Sequence, residues 1–139
     1  MSLQLPSTIW VATAPINLRL SFDRLAGIVR AELGGDPKRP LLVMFHNRRR
    51  THAKLLWHDG HAYCLFYKRL DRGRTFRIPL AIPPDAKSVV VDARELHLIL
   101  GGLNHKLLRK ARATVEAIRA SKQLSLHALP SRPSEPRNS

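Results

Sequence analysis

The chain has 139 residues, 44% of them hydrophobic, which is enough for one compact core and short for two ordinary domains. Its 24 Lys and Arg stand against 10 Asp and Glu, a formal charge of +14 that creates a positive potential and attracts polyanions. No apolar run approaches the roughly 20 residues of a bilayer span, Ile9 to Ile16 is too short for a secretory leader, and the lone Cys64 builds neither an intramolecular disulfide nor a thiolate zinc site. The expectation is a cytoplasmic protein with no membrane partner.

Ile9 to Ala14 is β-branched and apolar and runs into Pro15, which predicts a short strand closed by a turn. A helix follows, with Ser21 as N-cap and Phe22, Leu25, Ile28, Val29 and Leu33 on one face; Gly34 and Gly35 stop it. Leu41 to Phe45 is a continuous apolar run, predicting a central strand buried on both faces.

The polar run Asn47-Arg48-Arg49-Arg50-Thr51 turns the chain into a strand from Ala53 to Trp57, and Asp59-Gly60 predicts a tight hairpin into a strand from Ala62 to about Lys68. If His58 opposes His61, alternation puts Leu55, Trp57, Ala62, Cys64 and Phe66 on a core face, and Lys54, Leu56, Tyr63, Leu65 and Tyr67 on the other. Phe76 to Leu80 reads as an edge strand, because Pro79 lacks a ladder donor, and Ser88 to Val91 as a further short strand.

Asp92 and Glu95 stand three apart, as in a capping box, ahead of a helix that carries Leu96, Ile99 and Leu100 and ends at Gly101-Gly102. From His105 to about Lys122 a basic amphipathic helix sets Leu107, Leu108, Ala111, Val115 and Ile118 on one side, with Lys106, Arg109, Lys110, Arg112, Arg119 and Lys122 around the rest. Pro130 to Ser139 has nothing to bury and reads as a disordered tail.

Charge is densest between Lys38 and Arg77, where eleven Lys and Arg, Lys38 and Arg39 among them, face only Asp59 and Asp71. Three consecutive arginines at a bend repel one another unless an anion sits nearby, and phosphate is the natural one, since each contact releases condensed cations and the arginine fork is bidentate. Trp57, Tyr63, Phe66 and Tyr67 are interleaved with these charges: aromatics in strands are ordinarily core, and exposed ones stack on unpaired bases.

His46, His52, His58 and His61 invite a metal-site or nuclease reading, but their spacing lacks the paired ligands of a structural zinc, so no metal and no cofactor are expected. The acids are scattered rather than grouped to hold two ions, and no nucleophile elbow or phosphate-binding glycine loop occurs, so no catalytic residue and no small-molecule substrate are assigned.

The ordered blocks Ala14-Pro15-Ile16-Asn17-Leu18-Arg19, Ser21-Phe22-Asp23-Arg24-Leu25, Phe45-His46-Asn47-Arg48-Arg49-Arg50, Lys54-Leu55-Leu56-Trp57-His58-Asp59-Gly60 and Tyr67-Lys68-Arg69-Leu70-Asp71-Arg72-Gly73-Arg74 resemble the accessory TnpB family of class sixty-six insertion sequences. The resemblance spans about Ile9 to Asn104 and stops short of the basic helix. It implies a bacterial protein, close to the nucleoid, that assists a separate transposase encoded by the same element and has no catalytic residues of its own.

The combined expectation is an α+β single domain over 1–104, a mostly antiparallel sheet with two packing helices, then a basic helical extension over 105–129 and a tail over 130–139. Its function is to bind DNA, transposon ends included, through Arg48, Arg49, Arg50, Lys54, Lys68, Arg69, Arg72 and Arg74. The alternatives are a module that docks on the transposase without touching DNA, and a metal-dependent nuclease built on the histidines.

Overall fold

The computed structural model describes residues 5–77 and 82–128. In chain order the elements are β1 (Thr8–Ala12), α1 (Phe22–Ala31), β2 (Leu41–His46), β3 (His52–His58), β4 (Tyr63–Arg69), β5 (Arg74–Thr75), β6 (Ser88–Val91), α2 (Ala93–Gly101), β7 (Leu103–Asn104) and α3 (His105–Ala128). The arrangement is α+β. Two compact units divide the chain, Met1–Asn104 and the stretch from His105 onward. The expected tail, and most of the expected edge strand Phe76 to Leu80, lie outside the described residues. Phe76 itself is in no strand; the ladder forms just before it, where Arg74–Thr75 pairs with Leu103–Asn104.

Among the described residues, five strands form one sheet in the order β4-β3-β2-β1-β6. The apolar run of β2 sits at its centre, and all six residues are buried, as expected of a strand covered on both faces. Every pairing is antiparallel except β1 with β2, which are parallel, with α1 carried in the connection between them.

Strand alternation sorts the core into two layers. On one face Ile9, Val11, Leu42, Met44, Leu55 and Trp57 pack with Phe76, Val91 and, from α2, Leu96 and Ile99. On the other, Val43, Phe45 and Leu56 pack with Leu25, Ala26 and Val29 of α1. The second face of the β3–β4 hairpin therefore belongs to the core as much as the first does.

Two sequence expectations about local chemistry divide here. Asp92 caps α2 as expected, its side chain accepting the Glu95 N–H at 2.7 Å. Ser21 occupies the N-cap of α1 in extended geometry, but its hydroxyl makes no cap bond, and Phe22 is exposed rather than on the buried face.

The β3–β4 hairpin differs in register from the expectation. His58 pairs with Tyr63, not His61, leaving Asp59, Gly60, His61 and Ala62 as the turn. The Asp59 carboxylate favours the wider turn, because its Oδ1 accepts the N–H groups of both His61 and Ala62, each at 2.8 Å. A slip of two residues keeps the side chains that remain paired on their expected faces, because the side-chain period is also two, and moves Ala62 out of the strand into the turn.

Gly102 joins α2 to β7 with φ of 72°, and a Cβ there would lie 2.8 Å from the Thr75 carbonyl oxygen and 2.9 Å from Leu70 Cδ1. Gly102→Ala combines a left-handed backbone with a clash against main chain. Its expected cost is about 1–3 kcal/mol, read as a lowered thermal unfolding midpoint.

Candidate nucleic-acid interface

The central feature is the connection Asn47 to Thr51 between β2 and β3. Asn47 organises it: Oδ1 accepts the N–H groups of Thr51 at 2.9 Å and His52 at 3.0 Å, and Nδ2 donates to Thr51 Oγ1 at 2.9 Å. The Arg50 N–H donates to the Asn47 carbonyl at 3.0 Å, and Arg50 takes a left-handed φ of 58°, a conformation uncommon outside glycine. With the main chain closed by these bonds, Arg48, Arg49 and Arg50 are all exposed.

Two backbone bonds join this turn to the second basic segment. Leu70 N–H donates to the Thr51 carbonyl at 2.9 Å, and Phe76 N–H donates to the Arg50 carbonyl at 2.7 Å. Arg49, Arg69, Arg72 and Arg74 consequently line one open cleft, with Asp71 the only carboxylate among its lining residues. Four cations against one anion leave an excess of three positive charges there. Among the described residues none of these arginines, nor Arg48 or Arg50, is paired with a carboxylate, whereas Arg39 lies 3.8 Å from Asp36 elsewhere on the surface.

The structure does not bring all eight expected residues together. Arg69 and Arg72 are exposed and Arg74 is half-buried at the cleft. Lys68, half-buried, lies opposite Ala53 and so points to the other face of the sheet from Arg69. Lys54 is a correction: it is only 7% exposed, and its ammonium donates to the Leu20 carbonyl at 2.9 Å and sits 5.2 Å from the centre of the Tyr67 ring. Its charge is spent inside the domain rather than offered to a phosphate.

The aromatics separate in the same way. Trp57 is core and Tyr63 half-buried, but Phe66 and Tyr67 are 49% and 54% exposed on opposite faces of β4. Tyr67 lies across from Lys54 and two residues before Arg69. Sequence reasoning missed Asn17 and Arg19, which line a shallow depression with His52 and Tyr67. Their only local signal is the polar break after Pro15.

Three of the four central histidines, His46, His52 and His58, are engaged in structural contacts through their rings. His46 is buried with Nε2 3.0 Å from the Ala12 carbonyl, His58 Nδ1 accepts the Gly60 N–H at 3.1 Å, and His52 Nδ1 lies 2.8 Å from Thr51 Oγ1. Among the described residues no group of three or more His, Cys, Asp and Glu is placed to share a metal ion.

The hairpin turn has its own electrostatics. Backbone N–H donation from His61 and then Ala62 holds the Asp59 carboxyl below its ordinary value of 3.8. Burial, and then the neighbouring Asp59 charge, push the Cys64 thiol up. For a carboxyl with a depressed folded value, the stabilising contribution is present above the unfolded value and lost as pH falls through the folded one. Compared with Asp59→Asn, which does not titrate, the wild type should therefore lose thermal stability as pH drops below about 4. Parallel melts at neutral and acid pH check this, and a constant difference between the two proteins would refute it.

Fold and surface together define a small, basic α+β protein with two arginine segments locked side by side. The profile of the IS66 Orf2 like protein family matches residues 7–110, from β1 into the first turns of α3, and the chain belongs to that family, the transposition-associated accessory proteins. It is also similar to the uncharacterized protein y4hO of Sinorhizobium fredii (strain NBRC 101917 / NGR234), at 34% identity over 96 residues, 69% of this chain and 80% of that protein. No solved structure matches it. Among the described residues no helix is long and apolar enough to cross a membrane.

Proposed function

We propose that this protein is a non-catalytic accessory factor of transposition that holds DNA through its arginine cleft while a separate transposase, encoded by the same element, performs the strand chemistry. The observation that carries this reading is the pair of backbone bonds, Arg50 to Phe76 and Thr51 to Leu70, that fix one cationic segment against another with Asp71 the single carboxylate among the cleft's lining residues. Exposed guanidinium groups held on a fixed backbone serve phosphate better than the same charges on a loose loop, because less ordering remains for binding to supply. The contacting residues are Arg48, Arg49, Arg50, Arg69, Arg72 and Arg74, with Lys68 reaching DNA only from the other face of the sheet. The protein works in the bacterial cytoplasm at the nucleoid.

Phosphate contacts carry no base information. The test is fluorescence-anisotropy titration of two duplexes, one bearing the element's terminal inverted repeat and one scrambled, each at two salt concentrations. Tight binding to both, falling steeply with salt, is the expected result. Preference for the repeat would add end recognition, and absence of binding at low salt would overturn the reading.

One observation favours a second reading, in which α3 docks on the transposase. Leu107, Val115 and Ile118 are 60%, 47% and 52% exposed on a helix that is otherwise strongly basic. Retention of transposase in a pull-down after nuclease treatment supports that contact, and its loss on removing DNA opposes it.

A further inference from the structure

We infer that Tyr67 and the depression in front of it form a stacking site for an unpaired base, so that the surface holds single-stranded or locally opened DNA in preference to a closed duplex. The inference rests on the DNA-binding reading and narrows it to a substrate class.

Four side chains share one face at the edge of the sheet. In the β3–β4 ladder His52 lies opposite Arg69 and Lys54 opposite Tyr67, which places His52, Lys54, Tyr67 and Arg69 in a two-by-two block. The Tyr67 ring is braced twice within it: the Lys54 ammonium stands 5.2 Å from its centre, and the His52 ring meets it edge-on at 6.0 Å and 62°. Lys54 is itself fixed by the Leu20 carbonyl, so the brace does not move. Yet Tyr67 remains 54% exposed, on a strand that is the edge of the sheet among the described residues.

An aromatic ring held rigidly and left open costs little further entropy on binding. The buried cation also draws electron density from the ring, which favours contact with an electron-rich π surface such as a nucleobase.

The polar surroundings fit the same ligand. Asn17 and Arg19 line the depression before the ring, and His52 lines both this depression and the arginine cleft, so the two are contiguous. A strand with its phosphates on Arg49 and Arg69 passes directly to Tyr67, where a base can lie on the ring and meet the donors of Arg19 and Asn17. A closed duplex cannot use this site, because its base faces are already occupied by neighbouring pairs. Adjacent cationic and stacking surfaces are the general means by which proteins bind unpaired strands.

The experiment compares a roughly 16-nucleotide single strand, at the upper end of single-strand site sizes, with the duplex of the same sequence, using wild type, Tyr67→Ala, Tyr67→Phe and the triple alanine variant at Arg48, Arg49 and Arg50. Tyr67→Ala should weaken single-strand binding by about tenfold and leave duplex binding unchanged, while Tyr67→Phe keeps wild-type affinity for both. A 2-aminopurine base in the strand should change fluorescence with wild type and not with Tyr67→Ala, which reads stacking directly.

Equal effects of Tyr67→Ala on strand and duplex, or none on either, would overturn the stacking site while leaving the arginine cleft intact. An RNA strand binding tenfold more tightly than the DNA strand would overturn the assignment to DNA. Failure of the wild type to bind strand and duplex alike would remove the DNA reading itself.

Discussion

Replacing Arg48, Arg49 and Arg50 together by alanine should weaken binding to any DNA duplex by roughly a hundredfold at about 0.1 M salt and lower the salt slope by about 2.7, the value for three lost phosphate contacts at about 0.9 each. The two numbers are linked. An arginine that merely stood near DNA would lower affinity without changing the slope in proportion, so both must be measured in the same titrations. The substitution should leave the fold intact, because all three side chains are exposed and the turn is closed by Asn47 and by backbone groups. Alanine adds no strain at the left-handed position 50 that arginine does not already bear there. Lysine at the same three positions keeps the charge but not the fork, and should restore the slope while recovering affinity only in part. Unchanged affinity in the alanine variant would move the DNA contact elsewhere or remove it.

What the sequence made legible was mainly local. The run Leu41 to Phe45 could only be a strand covered on both sides, and β2 is one. Alternation sorted the paired side chains of β3 and β4 onto their expected faces despite a register displaced by two residues, because face depends on parity alone, while Ala62 falls in the turn and Phe66, expected in the core, is exposed. The parallel pairing of β1 with β2 had no local signature: it is decided by where α1 finds its apolar partners, among them Leu41, Val43 and Phe45.

The site was legible as composition but not as geometry. Arg48 to Arg50 and Arg69 to Arg74 stood out as cationic, yet their adjacency depends on two backbone bonds between segments some twenty residues apart in sequence. Lys54 was counted with the exposed cations because nothing in a lysine's neighbours along the chain reveals that its ammonium finds the Leu20 carbonyl. For the same reason Tyr67 could not be separated from Trp57 or Tyr63 as the exposed ring.

Phe76 links the stability of the domain to its basic surface, and Phe76→Ala should show both. The residue is 1% exposed, is among the largest fully buried side chains, and packs with the α2 layer, while its N–H holds the Arg50 carbonyl. Truncation removes a ring from a packed core and is expected to cost about 3–5 kcal/mol, a large share of the roughly 5–15 kcal/mol that holds a domain of this kind together. Urea denaturation should show a lower midpoint with an unchanged slope, since the surface exposed on unfolding is almost the same. Under conditions where the variant is still folded, DNA affinity should also fall, because the segment carrying Arg72 and Arg74 loses its anchor beneath the turn of Arg48 to Arg50. Phe76→Leu, which refills most of the space and, like the alanine variant, keeps the backbone N–H, should restore affinity more fully than stability. If the folded alanine variant bound DNA as tightly as wild type, the two arginine segments would be acting independently and the clamped cleft would not be the binding unit.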